Sequence, residues 1–437
     1  MQRRIQLAGL VMALCASPLL AQAKKPTKPA ATPVQQVIPP KTVYWLSAAT
    51  SSGFGLNMGR GGKPPSTGDM MRMAMGGGGG APIKSLVLDL GSKLPPSGPP
   101  MASHAIPPGM NMGNALALKT PKLEKAKPGE YHEPEDYERP KGRILLFWGC
   151  GETARPGQPV VIDFAKLAAG QVPPDLFAGE HVRIAWPPSA SRWPTWGGWP
   201  NDDRASKQSL PSNASLIGSH HVTGNYTPAI DFTLSQDWMA GLNMNQTKAA
   251  SGALTLSWNA IPGATAHFAQ MMGGGLGSEA EGNTVVFWSS SDVQTFISGL
   301  SDYIAPAEAA RLVGKKQLMP PTQTTCAIPK EAMAATQGGL ISLVAHGPEQ
   351  NFVYPPRPAD PRTPWVQDWT VKARFVSRTG AIAGMDMGDM AGSSDSSRRG
   401  KKPKCAANTD PAAAMAGALG GALGGMFGGK KKSPDCE

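Results

Sequence analysis

Charge is scarce in this chain: 17% of its residues are Asp, Glu, Lys or Arg, against roughly a quarter in an ordinary domain. Aromatic residues make up 6%, and there are only five cysteines and seven histidines in 437 residues. The low charge argues against one compact, helix-rich globule. No C-x-x-C is present, so neither a thioredoxin-type dithiol nor a zinc ribbon is indicated. A G-x-S-x-G nucleophile elbow, an H-E-x-x-H zinc helix, a G-x-x-x-x-G-K-[ST] phosphate loop and a D-x-D-x-D-G calcium loop are all missing. A hydrolase assembled from distant residues stays open, because a catalytic triad needs no fixed spacing. The apolar run at 7–20 falls short of the roughly 20 residues that cross a bilayer as a helix.

What is abundant is Gly (52) and Pro (43), a composition of loops, linkers and turn-rich β structure rather than of one helix-rich globule. The first 23 residues read as a secretory signal: Arg3 and Arg4, then the apolar 7–20, then Ala21-Gln22-Ala23 as a cleavage site followed by Lys24 and Lys25. This predicts an exported protein, in the periplasm or cell envelope. The net charge is +11, yet residues 143–391 hold 17 basic and 19 acidic side chains. The positive charge therefore sits in the flanks among Pro, Gly and Ser. A nucleic-acid module carries it on the folded domain, so no nucleic-acid partner is expected. Basic flanks suit salt-sensitive attraction to an anionic envelope surface, and equally simple solubility.

Without the signal four cysteines remain: Cys150, Cys326, Cys405 and Cys436. An even count in an exported chain favours disulfides, with three pairings possible. Cys150 with Cys326, and Cys405 with Cys436, is the favoured set, since the first two lie in strand-like sequence and the others bracket the tail.

The organisation expected is a leader at 24–40, a β-sandwich over 41–235 with long Gly/Met and Pro/Lys loops, a second sandwich over 236–383 and a basic Gly-rich tail at 384–437. Seven strand-like runs precede residue 235, at 42–46, 85–90, 144–148, 160–164, 181–186, 215–222 and 229–234. The fold class is thus all-β: two antiparallel β-sandwich domains, with a short helical insertion in the second and disordered flanks. One or two helical turns are expected near 165–169.

The second half carries a resemblance. Leu254-Thr255-Leu256-Ser257-Trp258, then Pro262-Gly263-Ala264 and Phe268, resembles strands B and C of fibronectin type III-like modules. Cys326 lies in what looks like strand E, 340–347 in strand F and 369–377 in strand G. The resemblance spans about 236–380 and implies a sandwich without catalytic residues. It departs from the family at 291–318, which reads as helical, with Pro306 able to start a helix. The whole chain also resembles exported bacterial proteins that combine a signal peptide, Gly/Met-rich loops, paired sandwich segments and a basic Gly-rich tail.

Three features are able to carry a function. Trp186, Trp193, Trp196 and Trp199 lie within 14 residues, with Arg192 beside Trp193. A row of exposed tryptophans stacks on sugar faces, although the same residues also plug the end of a sandwich. Methionine recurs in Gly/Asn/Asp settings at Met58, Met110, Met112 and Met244, and densest at Met385, Met387 and Met390. Thioethers suit Cu(I), with His104 as a nitrogen donor beside Met110 and Met112, while Met-Gly sequence is also plain flexible filler. No other cofactor is indicated. Finally, 412–429 is uncharged with Gly every four residues, then Lys430-Lys431-Lys432. This small-xxx-small face fits self-association or contact with a membrane surface.

The expectation is a non-enzymatic envelope-associated binding or scaffolding protein whose partner is a cell-envelope component or another protein. The alternatives are a periplasmic copper-binding protein using the Met-rich segments, and a hydrolase acting on an envelope polymer. His220 and His221 are adjacent, so a strand would point them to opposite faces.

Overall fold

A computed structural model describes residues 34–53, 82–121, 142–172, 181–200, 210–275, 283–295 and 299–384. The expected signal, most of the leader, the Gly/Met stretch at 54–81, the Pro/Lys stretch at 122–141, Met385, Met387, Met390, Cys405, Cys436 and the tail lie outside the described residues.

The fold is all-β. Eighteen strands are described: β1 (Val37–Ile38), β2 (Thr42–Gly53), β3 (Ile83–Ser92), β4 (Ala102–Ala105), β5 (Ala115–Leu118), β6 (Gly142–Trp148), β7 (Val160–Asp163), β8 (Thr195–Trp199), β9 (Gly218–Gly224), β10 (Thr227–Leu234), β11 (Met244–Lys248), β12 (Leu254–Trp258), β13 (Ala266–Gly275), β14 (Asn283–Ser289), β15 (Thr325–Ile328), β16 (Thr336–Tyr354), β17 (Trp365–Val366) and β18 (Trp369–Ile382). The helices among the described residues are short: α1 (Phe164–Ala168), α2 (Pro306–Gly314) and α3 (Lys330–Ala335). Asp163 caps α1 through the N–H groups of Ala165 and Lys166, and Pro306 opens α2 as its position predicts.

A nine-stranded sheet runs β7-β6-β14-β13-β16-β18-β2-β3-β8. Its pairs are antiparallel except β6 with β14 and β2 with β18. This mixed character departs from the purely antiparallel expectation, because the parallel partners meet from distant parts of the chain. A four-stranded sheet, β10-β9-β4-β5, and a three-stranded sheet, β11-β12-β15, accompany it. The two-stranded parallel pair β1-β17 ties the start of the described chain to the approach to β18.

Period-two alternation assigns the faces. Tyr44, Leu46 and Ala48 of β2 and Leu86, Leu88 and Leu90 of β3 share one buried cluster with Leu118, Val222, Ile230 and Phe232 of the four-stranded sheet. Farther along the same sheet, Ala269, Met271, Ile341 and Leu343 join that cluster with Leu254, Leu256, Trp258 and Ile328 of the three-stranded sheet. The nine-stranded sheet therefore backs two smaller sheets at once. Lys119 and Gly198 exchange both backbone hydrogen bonds, at 3.1 and 3.0 Å, and close β5 against β8. The strands of the long sheet come from both sides of residue 235, so the expected boundary falls within the strand set of one sheet. Its outer face is covered in part by α2 and the 300–304 loop, which bury Ala266 and Phe268.

Two local expectations are corrected. Residues 181–186 join no ladder, and the strand expected from residue 215 begins at Gly218. Cys150 and Cys326 form a disulfide with Cα atoms 5.0 Å apart. It joins the loop after β6 to β15, and so a long-sheet strand to the three-stranded sheet.

Candidate functional site

Strand β8 reads Thr-Trp-Gly-Gly-Trp, and its alternation decides the fate of its tryptophans. Trp199 pairs with Leu88 and points into the core, 7% exposed. Trp196 pairs with Gly91 on the opposite, outer face. Trp193 lies on that same outer face: a Cβ at Gly91 would stand 2.6 Å from its ring, and one at Gly198 would stand 2.6 Å from the ring of Trp196. The two glycines form a floor on which both indoles rest. Trp193 and Trp196 stay half-buried, and Trp186 is 60% exposed. Lys93 holds its ammonium 5.9 Å from the centre of the Trp193 ring. Arg192 is committed locally, donating to Pro187 O at 2.6 Å and Ser189 Oγ at 3.1 Å. The five residues singled out in the sequence thus divide. Trp193 and Trp196 make a shelf, Trp186 stands exposed, Arg192 braces the turn, and Trp199 belongs to the core.

Beside the shelf the outer face carries a stack the sequence reading missed. Arg374 of β18, 9% exposed, is placed between the rings of Trp45 and Tyr303, 4.8 and 4.3 Å from their centres. Arg378, two positions farther on the same face, lies 5.3 Å from the Tyr303 ring. Burial lowers the Arg374 pKa, opposed by Tyr303 and Asp89, and the guanidinium stays charged. It donates to Ser47 Oγ at 2.8 Å and to Ala185 O at 3.2 Å. The second of these bonds explains the segment 181–186. Arg311 donates to His181 O at 2.8 Å, and the Arg183 N–H donates to Glu308 at 2.9 Å. Side chains, not a neighbouring strand, hold alternate residues of this strap, and it leads into the tryptophan shelf. The Arg311 guanidinium keeps the Glu308 carboxyl below its ordinary range. The available signal was Lys372, Arg374 and Arg378 at even positions of a strand whose odd positions are mostly apolar.

A third polar arrangement lies between the long and four-stranded sheets. Tyr44 and His104 are fully buried and His220 nearly so. Tyr44 Oη is 2.8 Å from His104 Nδ1, His104 Nε2 is 2.9 Å from His220 Nδ1, and His220 Nε2 is 2.7 Å from Leu216 O. The carbonyl only accepts, so His220 carries its proton on Nε2. Its Nδ1 then accepts from His104 Nε2–H, and His104 Nδ1 accepts from the Tyr44 hydroxyl. Desolvation lowers both histidine pKa values, His104 well below the ordinary range, and raises that of Tyr44. Phe232 stacks on His220, the centroids 4.9 Å apart. As alternation requires, His221 points away, half-exposed beside Asp231.

This chain of bonds overturns the expected ligand role of His104, because both ring nitrogens are engaged. Met110 is likewise fully buried in the core. Among the described residues no group of three His, Cys, Asp or Glu side chains is placed to hold a metal, and no described helix is long and apolar enough to cross a membrane.

Comparison with protein-family models, with curated proteins and with solved structures finds no match for this chain.

Proposed function

We propose that this is an exported, envelope-associated binding or scaffolding protein without catalytic chemistry of its own. The observation that carries the reading is the shelf of Trp193 and Trp196 laid over Gly91 and Gly198, with Trp186 60% exposed in the strap that leads into it. Flat indoles on a rigid sheet meet the apolar faces of sugar rings with little loss of side-chain freedom. A glycan of the cell envelope is the partner that fits, and the secretory signal read at 1–23 would deliver the protein to it. The basic tail would add salt-sensitive contact with an anionic membrane surface.

The fibronectin type III-like reading of 236–380 belongs to the same proposal. Its support is strand order: β11-β12-β15 on one side, and β14-β13-β16-β18 within the long sheet on the other. These match A-B-E and C′-C-F-G of such a module. In this reading the module is fused edge to edge with a first sandwich and presents the shelf on a stiff support.

Co-sedimentation with isolated cell-wall sacculi tests it. The wild-type chain should sediment with sacculi, and Trp186→Ala with Trp193→Ala should lose at least tenfold in apparent affinity. Unchanged sedimentation of that variant would remove the shelf from the account.

One observation favours a second reading, copper binding. Gly53 pairs with Gly380 at one end of the long sheet, and Pro82 and Ser52 both pack on Gly241 there. The described borders of the methionine-rich stretches 54–81 and 385–390 therefore meet at that end. Cu(I) uptake lost when Met385, Met387 and Met390 are all changed to Leu would support this reading, and equal uptake would reject it.

A further inference from the structure

We infer that Cys150, Cys326 and Met319 form, once their disulfide is opened, a buried three-sulfur site for a soft monovalent cation, Cu(I) above all. The inference rests on residues other than the methionine-rich segments. Met319 Sδ lies 3.8 Å from Cys150 Sγ. Three sulfurs bound at about 2.3 Å around one ion stand about 4 Å apart, so this pair already has the separation a shared metal requires. Thiolate and thioether together select Cu(I) over harder ions.

The surroundings fit the same ion. Met319 and Cys326 are 4% and 3% exposed, while Cys150 is half-buried and offers the way in. Met319 is held by its backbone, which exchanges hydrogen bonds with His267 at 2.9 and 3.0 Å. The Gln323 amide donates toward Cys150 Sγ at 3.7 Å, a contact that steadies a thiolate and orients it for a metal. The Trp288 indole donates to Gly149 O at 3.0 Å and fixes the loop carrying Cys150.

The opening step uses a dithiol reductant. Its thiolate attacks the sulfur of Cys150, the less buried of the two cysteines, the S–S bond breaks, and Cys326 leaves as a thiolate. The second thiolate of the reductant then attacks its own mixed disulfide. Cys150 is released, and the reductant departs as a cyclic disulfide carrying the two-electron oxidation. Cu(I) binds the two cysteine sulfurs and Met319 Sδ, displaces two thiol protons and keeps its oxidation state. Rotation about the cysteine side-chain bonds parts the sulfurs.

The test uses the full chain with Cys405→Ser, Cys436→Ser and Met385, Met387 and Met390 changed to Leu, so that failure of the methionine-rich reading does not affect it. Cu(I) is titrated anaerobically against a bathocuproine-type chelator, before and after dithiol reduction, with near-ultraviolet circular dichroism following the fold. The reduced protein should keep its fold, bind one Cu(I) more than the oxidised form and show three sulfur scatterers by X-ray absorption. Met319→Leu should weaken that Cu(I) at least tenfold and leave two scatterers. Equal uptake by oxidised and reduced protein, unchanged affinity in Met319→Leu, or loss of the fold on reduction would each overturn the proposal.

Discussion

Trp193 rests directly on Gly91: a methyl group at that glycine would stand 2.6 Å from the indole and 2.7 Å from Pro188. The shelf thus depends on a missing side chain in the strand beneath it. Gly91→Ala forces the ring and the proline loop outward, an overpacking that costs about 1–3 kcal/mol. The expected result is a lower urea midpoint together with altered fluorescence of Trp193. A variant with wild-type stability and spectrum would mean that the ring is not seated there.

The buried imidazoles set an acid limit. Desolvation lowers the pKa values of His104, His220 and His267, and that of His346 to about 3 with Arg378 contributing. Below about pH 6.5 the unfolded chain takes up protons on these rings while the folded chain does not. The unfolded state then binds more protons, so stability falls as pH falls, from about 6.5 down toward the folded-state values. Urea midpoints should decline between pH 7.5 and 5.5. The double variant His104→Gln with His220→Gln should be weaker at pH 7.5 and show a flatter decline. An identical slope in both proteins would rule out the pair as the source.

Arg374 joins three parts of the molecule: Trp45 and Ser47 on β2, Tyr303 in the covering loop, and Ala185 in the strap. Arg374→Met keeps much of the volume but leaves Ser47 Oγ and Ala185 O without that donor, at about 1–3 kcal/mol. Hydrogen exchange should quicken in 181–186 and 299–304 ahead of β12 and β15. Uniform quickening across the whole molecule would deny Arg374 its local role.

The Cys150–Cys326 disulfide closes a span of 176 residues and links the long sheet to the three-stranded one. Its removal by Cys150→Ala with Cys326→Ala should cost about 3–5 kcal/mol. The chain should remain folded, since the cluster shared by the sheets does not depend on the bond. Equal denaturation midpoints with and without reductant would show that the bond adds nothing.

How much of this was legible in the sequence depended on how local the cause was. The apolar runs at 144–148 and 284–288 announce β6 and β14, and the alternation in 85–90 announces β3, because burial on one or both faces writes itself into neighbouring residues. The pairing of β6 with β14 does not, since its partners are more than 100 residues apart. The run 181–186 carries a true period of two, yet the groups meeting its backbone are Arg311, Glu308 and Arg374 rather than a strand. Strand β8 is absent from the strand-like runs because Gly and Trp dominate it, although its alternation separates Trp196 from Trp199. The Arg374 stack and the Tyr44–His104–His220 chain join residues of distant strands: the alternating cations of 372–378 mark a polar face but not its partners Trp45 and Tyr303, and nothing in the pattern links Tyr44 to His104 and His220.

The most direct test of the account is co-sedimentation with purified cell-wall sacculi at fixed salt, comparing the wild-type chain with Trp186→Ala. Trp186 is 60% exposed, so its removal should leave the fold intact by circular dichroism. The account predicts clear sedimentation of the wild type and a severalfold loss in the variant. Wild-type protein that stays in the supernatant, or a folded variant that sediments as well as wild type, would contradict it.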